Sequence, residues 1–336
     1  QKRKNQIVSG DIYMAIKFID LFAGIGGMRI PFDELGCQCV FSSEWDKFAQ
    51  ETYYANFGEM PEGDICKIQS EEIPDHDILL AGFPCQAFSI MGNQLGFADT
   101  RGTLFFEIER ILRDKRPAAF LLENVKRLET HDKGRTLKVI LQKLEALGYK
   151  VKYKVLNALD FGLPQKRERI FIVGFLDHSI DFVFPTKGSK FLTLSDILEP
   201  DELVDKKYWA SEEIVAKRME KVEGREIIKP AIWHENKAGD IGINEFSCAL
   251  RAGASYNYLL VNGVRRLTPR EMLRLQGFPE SFKIVVSDQQ IRKQTGNSVP
   301  IPVVRAIAKR MVSLLNGQTI EEKDEAEDYE QLALNF

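Results

Sequence analysis

The sequence of 336 residues predicts an α/β protein with a mostly parallel sheet covered by helices and a smaller, more irregular domain. From residue 17 to about residue 175, short β-rich runs alternate with amphipathic stretches, which is typical of a parallel sheet. After residue 185 the pattern loosens into charged, loop-rich sequence, and order resumes at residues 265–279. These observations together indicate two unequal domains.

The individual elements follow from local patterns. Thr268 is predicted to be a helix N-cap, with Pro269 at the first helical position and Glu271 at the third. A last helix has enough apolar residues to pack back onto the sheet. The predicted helices show apolar residues at helical spacing, at residues 46–57, 103–113, 134–147 and 301–315. The predicted strands are residues 17–22, 38–43, 77–81, 118–122, 150–156 and 169–175.

Composition excludes several classes of protein. No apolar run approaches the roughly 20 residues that span a bilayer, so a membrane role is not expected. The basic start at residues 1–5 is followed by no apolar stretch typical of a signal peptide, so we expect the cytoplasm. The five cysteines are scattered without Cys-x-x-Cys spacing, which indicates a reducing compartment and no zinc site.

The net charge of −3 does not argue against a nucleic-acid partner. Residues 321–330 carry seven acids and one lysine, and the rest of the chain has a net charge of +3. Phosphate contact depends on where basic groups cluster, so the whole-chain charge is uninformative. We interpret residues 317–336 as a solvated acidic tail.

Residues 18–27 form a predicted strand that runs into a glycine turn at the start of a helix. Glycines there let the backbone approach a ligand closely, although a tight turn without a ligand is at least as plausible for the glycines alone. Glu44 follows the next strand and is suited to ribose hydroxyls, and Trp45 offers a ring face to adenine. Asp64 could serve a purine edge in the same way. The Glu44–Trp45 placement favours a nucleoside cofactor, whereas the glycine spacing does not specify a dinucleotide.

Cys85 follows the third predicted strand directly, within residues 82–89. That position puts it on a loop at the carboxyl edge of the sheet, where open α/β sheets bind their ligands. A lone cysteine is usually an inert buried one, but a loop between proline and glutamine is a poor place to fill a core. We favour a nucleophile whose thiolate is stabilised by a lowered pKa or a nearby base.

Three further segments carry polar groups. Glu123 ends an apolar strand, and by itself it is as suited to capping the following helix as to catalysis. Arg167 and Arg169 have spacing two on a predicted strand, so they point to the same side and could clamp an anion or a carbonyl, although surface solubility is the simpler interpretation. Residues 296–299 offer amide donors, and on their own they are only a turn.

In this order, the segments resemble the DNA cytosine-5 methyltransferase family, particularly the bacterial enzymes of restriction-modification systems. The resemblance covers residues 17–174 and 265–315, and it rests on Pro84-Cys85-Gln86, Glu123-Asn124-Val125 and Gln165-x-Arg167-x-Arg169. It implies a Rossmann-like S-adenosylmethionine-dependent methyltransferase sheet with a smaller, irregular target-recognition domain. The implied division is a catalytic and cofactor-binding domain at 1–185 plus 296–316, a target-recognition domain at 186–264, a hinge at 265–295 and the acidic tail.

The resemblance also implies the chemistry. Cys85 would attack carbon 6 of a cytosine, which makes carbon 5 electron-rich, and Glu123 would hold ring nitrogen 3 and the exocyclic amine. Arg169 would bind the carbonyl oxygen at position 2, with Arg167 nearby. S-adenosylmethionine would be the cofactor, S-adenosylhomocysteine the product, and no metal is implied. The implied cofactor residues are Phe22, Gly24, Ile25, Gly27, Glu44, Trp45, Asp64, Ile65, Pro84, Leu104, Asn297 and Ser298.

The implied substrate is a cytosine rotated out of double-stranded DNA, with residues 88–102 as a loop that closes over the base. Family members often carry serine where this sequence has Met91, and a Thr-Leu pair where it has Ala249-Leu250. We expect a monomer of the bacterial cytoplasm that associates with the nucleoid and protects host DNA from a cognate endonuclease. The expected DNA contacts are Gln86, Ser89, Met91, Arg101 and Thr103 near the base, and Asn236, Lys237, Arg251 and Asn257 in the target-recognition domain.

Three other functions compete with this one. The same chemistry could act on transfer RNA, because one branch of the family does so. A DNA-binding regulator without catalysis predicts loss of Cys85 or Glu123, and both are present. A nicotinamide dehydrogenase would use the glycine turn, but it explains neither Pro84-Cys85-Gln86 nor the paired arginines.

Overall fold

The β-rich runs of the sequence form strands in the computed structural model, which describes residues 15–83, 104–187 and 191–318. Each predicted strand is found with bounds within a few residues of the prediction. The strands are β1 (Lys17–Leu21), β2 (Gln38–Ser43), β3 (Ile78–Gly82), β4 (Ala119–Val125), β5 (Lys150–Asn157), β6 (Gln165–Lys166), β7 (Glu168–Phe175), β8 (Ile232–Glu235), β9 (Ile241–Asn244), β10 (Ser247–Cys248) and β11 (Leu259–Val261).

Six of these strands form the main sheet in the order β2-β1-β3-β4-β7-β5. The first four run parallel, which confirms the predicted α/β class. β7 runs antiparallel to both β4 and β5. The ten residues between β5 and β7 are too few for a crossover connection, so these two strands pair as antiparallel neighbours.

The amphipathic stretches form the helices that cover this sheet. Lys47–Phe57 begins at the Asp46 N-cap, whose side chain accepts from two backbone N–H groups. The helices are α1 (Arg29–Glu34), α2 (Lys47–Phe57), α3 (Leu104–Lys115), α4 (Arg135–Ala146), α5 (Leu194–Ile197), α6 (Glu212–Lys221), α7 (Pro269–Gln276), α8 (Asp288–Asn297) and α9 (Ile301–Leu315).

Two apolar cores lie on the two faces of the main sheet. On one face, Phe18 and Leu80 pack with residues of α1 and α9, including Ile307. On the other face, Leu79 packs with residues of α3 and α4, including Ile108. The prediction that the last helix packs back onto the sheet is therefore confirmed. The two covered faces leave the strand ends as the accessible edges of the sheet.

The smaller region is built on a three-stranded antiparallel sheet in the order β11-β8-β9. The fully buried Trp233 on β8 packs there with Val222, Ala231 and Ile241. β10 pairs in parallel with β6, so this region is hydrogen-bonded to the segment that leads into β7. The region therefore adjoins the main sheet at the end of β7 that carries the predicted arginines.

The predicted start of α7 is confirmed. The Thr268 side chain accepts from the Glu271 backbone N–H at 3.2 Å, and the Glu271 carboxylate accepts from the Thr268 N–H at 2.8 Å. Glu271 also pairs with Arg265 at 2.9 Å, with both side chains almost fully buried. Within the part of the chain that the structure describes, no helix has the length and apolar content needed to cross a membrane.

Candidate active site

The glycine turn after β1 is open on one side and tightly packed on the other. Gly24 has a φ of +57°, and no atom of the described residues, apart from its chain neighbours, lies within 4 Å of the position that a Cβ would take. At Gly27, a Cβ would lie 2.7 Å from Ser298 Oγ and 3.0 Å from Val299 Cγ2. The structure thus brings the turn of residues 22–27 against the turn before α9, with free space beside Gly24.

Glu44 holds the glycine turn from the end of β2. Its two carboxylate oxygens accept from the backbone N–H groups of Gly24 and Asp46, both at 2.8 Å. Burial raises the pKa of Glu44, and these backbone hydrogen bonds oppose that shift. Each oxygen keeps a second lone pair, so the carboxylate can still accept from a hydroxyl group. Beside it, the Trp45 ring is 80% exposed, which leaves its faces free for stacking.

The segment of residues 62–65 lies against the end of β2. The Glu44 N–H donates to the Glu62 carbonyl at 2.8 Å, and the Ser43 hydroxyl donates to the Gly63 carbonyl at 2.9 Å. One oxygen of Asp64 accepts from the Cys66 N–H, which begins a short helical turn. Ile65 is buried in the core beneath this turn. The predicted cofactor residues of the first 65 positions therefore lie at one edge of the sheet.

A buried ion pair lies at the carboxyl end of β4. Glu123 is 8% exposed, and its Oε1 is 2.9 Å from the Nε of Arg169 on β7. Burial raises the pKa of Glu123, whereas Arg169 and then Arg167 lower it. β4 continues two residues past Glu123, so the carboxylate does not cap a helix. A carboxyl group in this setting can exchange a proton with a bound base and is oriented by the guanidinium.

Arg167 lies in the single-residue gap between β6 and β7, two positions before Arg169, and both arginines lower the pKa of Glu123. The Arg167 guanidinium donates to the carbonyls of Leu250 at 2.9 Å, Gly296 at 3.0 Å and Ser298 at 2.5 Å. Burial lowers the pKa of Arg167 to about 9. The side chain thus joins the backbone after β10 to the backbone at the end of α8, and Arg169 pairs with Glu123.

Two glutamines extend this junction, Gln165 of the Gln165-x-Arg167-x-Arg169 motif and Gln276, which the sequence analysis did not identify. Gln165 donates to the Leu275 carbonyl at 2.7 Å and accepts from the Leu250 N–H at 3.1 Å. Gln276 donates to the Thr295 carbonyl at 2.5 Å. Both side chains are fully buried. The end of α7, the end of α8 and the segment after β10 are therefore held together by buried polar contacts.

The candidate nucleophile lies outside the residues that the structure describes, as do Pro84, Gln86, Ser89, Met91, Arg101 and Thr103. Cys85 follows Phe83 by two positions in the sequence. The Phe83 carbonyl accepts from Asn124 Nδ2 at 2.8 Å, and Gly82 is the partner of Glu123 in the β3–β4 register. The chain therefore leaves β3 beside Glu123. Leu104 begins α3 on the far side of this gap.

The predicted base-reading residues lie near one end of the three-stranded sheet. Asn236 is engaged in the β8–β9 turn through hydrogen bonds with Asp240, and Lys237 beside it is exposed. The backbone carbonyl of Asn257 accepts from Arg218. Arg251 is exposed, donates to His234 Nε2 at 3.2 Å and stands over the Tyr258 ring at 5.0 Å. Asn236, Lys237 and Arg251 are all exposed, and of these Lys237 and Arg251 carry a positive charge.

The sheet order and the glycine turn define a Rossmann-like methyltransferase fold. A methyltransferase of Entamoeba histolytica, EhMeth, matches 90% of the chain with 99% of its own, with a TM-score of 0.71 and 18% identity. The Dnmt2 methyltransferase of S. pombe has the same TM-score at 21% identity, with 90% and 99% of the two chains covered. At these identities the similarity shows the fold.

A model of the C-5 cytosine-specific DNA methylase family matches residues 16–313, so the chain belongs to this family. It is 61% identical over 303 residues to the Type II methyltransferase M.HaeII of Haemophilus aegyptius, covering 90% of this chain and 95% of that one. It is 58% identical over 299 residues to M.NgoBI of Neisseria gonorrhoeae, covering 89% and 93%. The predicted identity as a bacterial DNA cytosine-5 methyltransferase of the restriction-modification type is confirmed.

This family uses S-adenosylmethionine as its methyl donor. The open space beside Gly24, the exposed Trp45 ring and the lone pairs of Glu44 suit a nucleoside of this kind. Within residues 15–83, 104–187 and 191–318, no group of three or more His, Cys, Asp or Glu side chains is arranged to hold a metal ion.

Proposed function

We propose that this chain methylates carbon 5 of a cytosine rotated out of duplex DNA at a short fixed site, with Cys85 as the nucleophile. The observation that carries the proposal is the buried Glu123–Arg169 pair, which stands beside the strand end that leads to Cys85. The Glu123 carboxyl group and the Arg169 guanidinium are 2.9 Å apart. In this proposal the carboxyl group contacts ring nitrogen 3 of a cytosine, and the guanidinium contacts its carbonyl oxygen. Rotating the base out costs a few kcal/mol, which the contacts of this pocket offset.

Carbon 5 of cytosine is a poor nucleophile, so the ring needs activation. In the proposed step, the Cys85 thiolate forms a bond to carbon 6, and the electron pair of the 5,6 double bond moves toward carbon 5. Glu123 holds ring nitrogen 3 and the exocyclic amine, and its proton neutralises the charge that develops on the ring. The raised pKa of Glu123 favours the protonated form that this step needs.

The two arginines have different proposed roles. Arg169 binds the carbonyl oxygen at position 2 and orients Glu123. Arg167 is a positioning residue, because its donors are directed to the carbonyls of Leu250, Gly296 and Ser298. After methylation, loss of the proton on carbon 5 restores the double bond and expels the Cys85 thiolate, which regenerates the enzyme.

The cofactor residues are proposed from the same edge of the sheet. Glu44 accepts from the ribose hydroxyls, Trp45 stacks on adenine with Ile65 on the other side, and Asp64 accepts from the adenine amine. The turns at Phe22–Gly27 and Asn297–Ser298 enclose the rest, with Pro84 and Leu104 completing the site. When bound, S-adenosylmethionine supplies an electrophilic methyl group from its sulfonium.

The target-recognition domain is proposed to read the DNA sequence, with Arg251 and Lys237 as exposed donors. We retain the proposed division into residues 1–185 plus 296–316, 186–264, 265–295 and 317–336. The protein is proposed to act as a monomer on double-stranded DNA of the bacterial nucleoid. The methylated DNA would then be protected from a cognate endonuclease of the host. The relatives named as Type II methyltransferases support this role.

The test is methylation of a plasmid by the purified protein and S-adenosylmethionine, followed by bisulfite sequencing. The proposal predicts methylated cytosines at one short sequence and none elsewhere. In a parallel reaction, transfer RNA of the same molar concentration should accept no methyl group. Preferential methylation of the RNA would replace this proposal by the RNA-directed one, and no turnover on either substrate would leave a DNA-binding regulator.

A further inference from the structure

An open pocket of about 170 Å³ lies between the small sheet and the helices α7 and α8. Four basic side chains line it, namely Lys207, Arg251, Arg266 and Arg292. Asp288 supplies a negative charge, which leaves the lining with a net charge of +3. A surface hollow of this sign is suited to an anionic ligand.

The charge of three of these side chains is not neutralised by any carboxylate in the described part of the chain. Asp288 is engaged by Lys207 at 2.7 Å and by the Tyr208 hydroxyl at 2.8 Å. Among the described residues, Arg251, Arg266 and Arg292 pair with no carboxylate; Arg251 donates to His234, and the other two donate to backbone carbonyls.

Neighbouring arginines behave differently. Arg265 pairs with Asp201 and Glu271, and Arg274 pairs with Glu280 at 2.7 Å. Three guanidinium groups gathered beside one carboxylate, which Lys207 already engages, repel one another, and this repulsion costs stability unless an anion binds. The Nε of Arg266 is moreover buried and has no hydrogen-bond partner among the residues that the structure describes.

Aromatic rings form the other part of the lining. Tyr256 is 51% exposed, and the guanidinium groups of Arg292 and Arg266 lie 4.5 Å and 5.6 Å from its ring centre. Beneath the rings, Leu267 and Met272 give the pocket an apolar floor. A cavity of about 150 Å³ admits a benzene ring, so this volume is sufficient for one ring-sized group. The pocket thus combines anion donors with apolar surface, which together match one nucleotide.

The pocket adjoins the proposed active site. Arg251 directly follows Leu250, whose carbonyl accepts from Arg167 at 2.9 Å. A Cβ on Gly296 would lie 2.3 Å from the backbone nitrogen of Ala252, so this segment packs closely against the end of α8. Phosphates recur every 3.4 Å along the axis of one DNA strand. A strand with its cytosine at Glu123 therefore carries further phosphates on both sides of that base.

We propose that this pocket binds one nucleotide of the substrate DNA, with its phosphate on Arg251, Arg266 and Arg292 and its sugar or base against Tyr256. This inference rests on the proposed function and adds a contact outside the methylation site itself. Guanidinium groups match phosphate oxygens in a forked geometry, and an aromatic face accepts any base or sugar. The contact is independent of sequence and fixes the register of the strand.

The test uses a short duplex that carries the site found by bisulfite sequencing. Binding is measured for the full-length wild type and for Arg266→Met, Arg292→Met and Tyr256→Leu. Arg113→Met is the charge-matched control, because Arg113 is exposed at the end of α3 and far from the pocket in the sequence. Each arginine change should weaken binding about 10- to 100-fold. It should also reduce the slope of log K against log salt by about 1, with no such change for Arg113→Met.

A scan of single methylphosphonate linkages in the duplex identifies the phosphate. One linkage should weaken wild-type binding and should have no further effect on Arg266→Met or Arg292→Met. Tyr256 is half-exposed, so Tyr256→Leu should leave the melting temperature unchanged and weaken DNA binding about 5- to 10-fold. This variant tests the pocket without removing a side chain that is partly buried, as the arginines are. The inference would be overturned if the pocket variants bound the duplex with wild-type affinity. It would also be overturned if no single methylphosphonate linkage removed the difference in binding between the wild type and the arginine variants. Plasmid methylation by the wild type in the same preparation shows that the proposed function holds independently.

Discussion

The glycine turn offers a direct test of where the cofactor lies, through the change Gly24→Ala. Gly24 has a φ of +57°, and within the described parts of the chain its added methyl group would meet no atom within 4 Å apart from its chain neighbours. The left-handed conformation costs an L-residue about 1 to 2 kcal/mol. This loss should lower the melting temperature by a few degrees and leave the fold intact.

The added methyl group would enter the space proposed for the cofactor. Overpacking of a well-fitted site costs about 1 to 3 kcal/mol, which corresponds to a cofactor Kd raised about 5- to 150-fold. Gly36→Ala is the matched control, since Gly36 has a φ of +75° and also has no atom within 4 Å. It lies in the turn between α1 and β2, at the other end of β2 from Glu44.

Isothermal titration with S-adenosylhomocysteine, together with thermal unfolding, separates the two effects. Both variants should melt at similarly reduced temperatures, and only Gly24→Ala should lose affinity. A Gly24→Ala variant that binds as tightly as Gly36→Ala would refute the placement of the cofactor beside the turn.

Three further predictions concern the site. Glu123→Gln should reduce kcat about 10²- to 10⁴-fold with DNA affinity retained. Because burial raises the pKa of Glu123, the wild-type kcat should fall as pH rises through that pKa, and pH–rate profiles should show no such limb in Glu123→Gln. Arg167→Lys should lose about 2 to 5 kcal/mol of unfolding free energy in urea titrations, because the single nitrogen of lysine cannot replace the two guanidinium nitrogens that reach the three carbonyl partners from different sides. Unchanged stability would exclude the positioning role. Trp45→Leu should raise the cofactor Kd about 5- to 10-fold without changing the melting temperature, because the ring is 80% exposed; an unaltered Kd would remove Trp45 from the adenine site.

Much of the fold is predictable because its signals are local. β2 and α9 were predicted with their observed bounds, and the Thr268 capping box is encoded in four residues. The direction of β5 and β7 was not predictable from residue patterns, since both strands have the same apolar alternation in either direction. It follows from the short connection between them.

The site was predictable to a smaller extent. The turn at Gly24, Glu44 and Trp45 follows from strand ends that share one sheet edge. The partners of Arg167 and Gln276 could not be predicted, because they are backbone carbonyls, which every residue has. The carbonyls that accept from Arg167 are more than 80 positions away, and the one that accepts from Gln276 is 19 positions away. The unpaired arginines beside Tyr256 were likewise dispersed over residues 251–292.

The most direct test of the central claim is trapping with DNA that carries 5-fluorocytosine at the methylated position. Fluorine at carbon 5 cannot leave as a cation, so a ring attacked by Cys85 and methylated cannot release the sulfur. Wild-type protein with S-adenosylmethionine should form a complex that survives denaturing electrophoresis, and Cys85→Ala should bind the same duplex without forming it. Stable complexes with Cys85→Ala, or none with a wild-type protein that methylates ordinary DNA, would contradict covalent catalysis by Cys85.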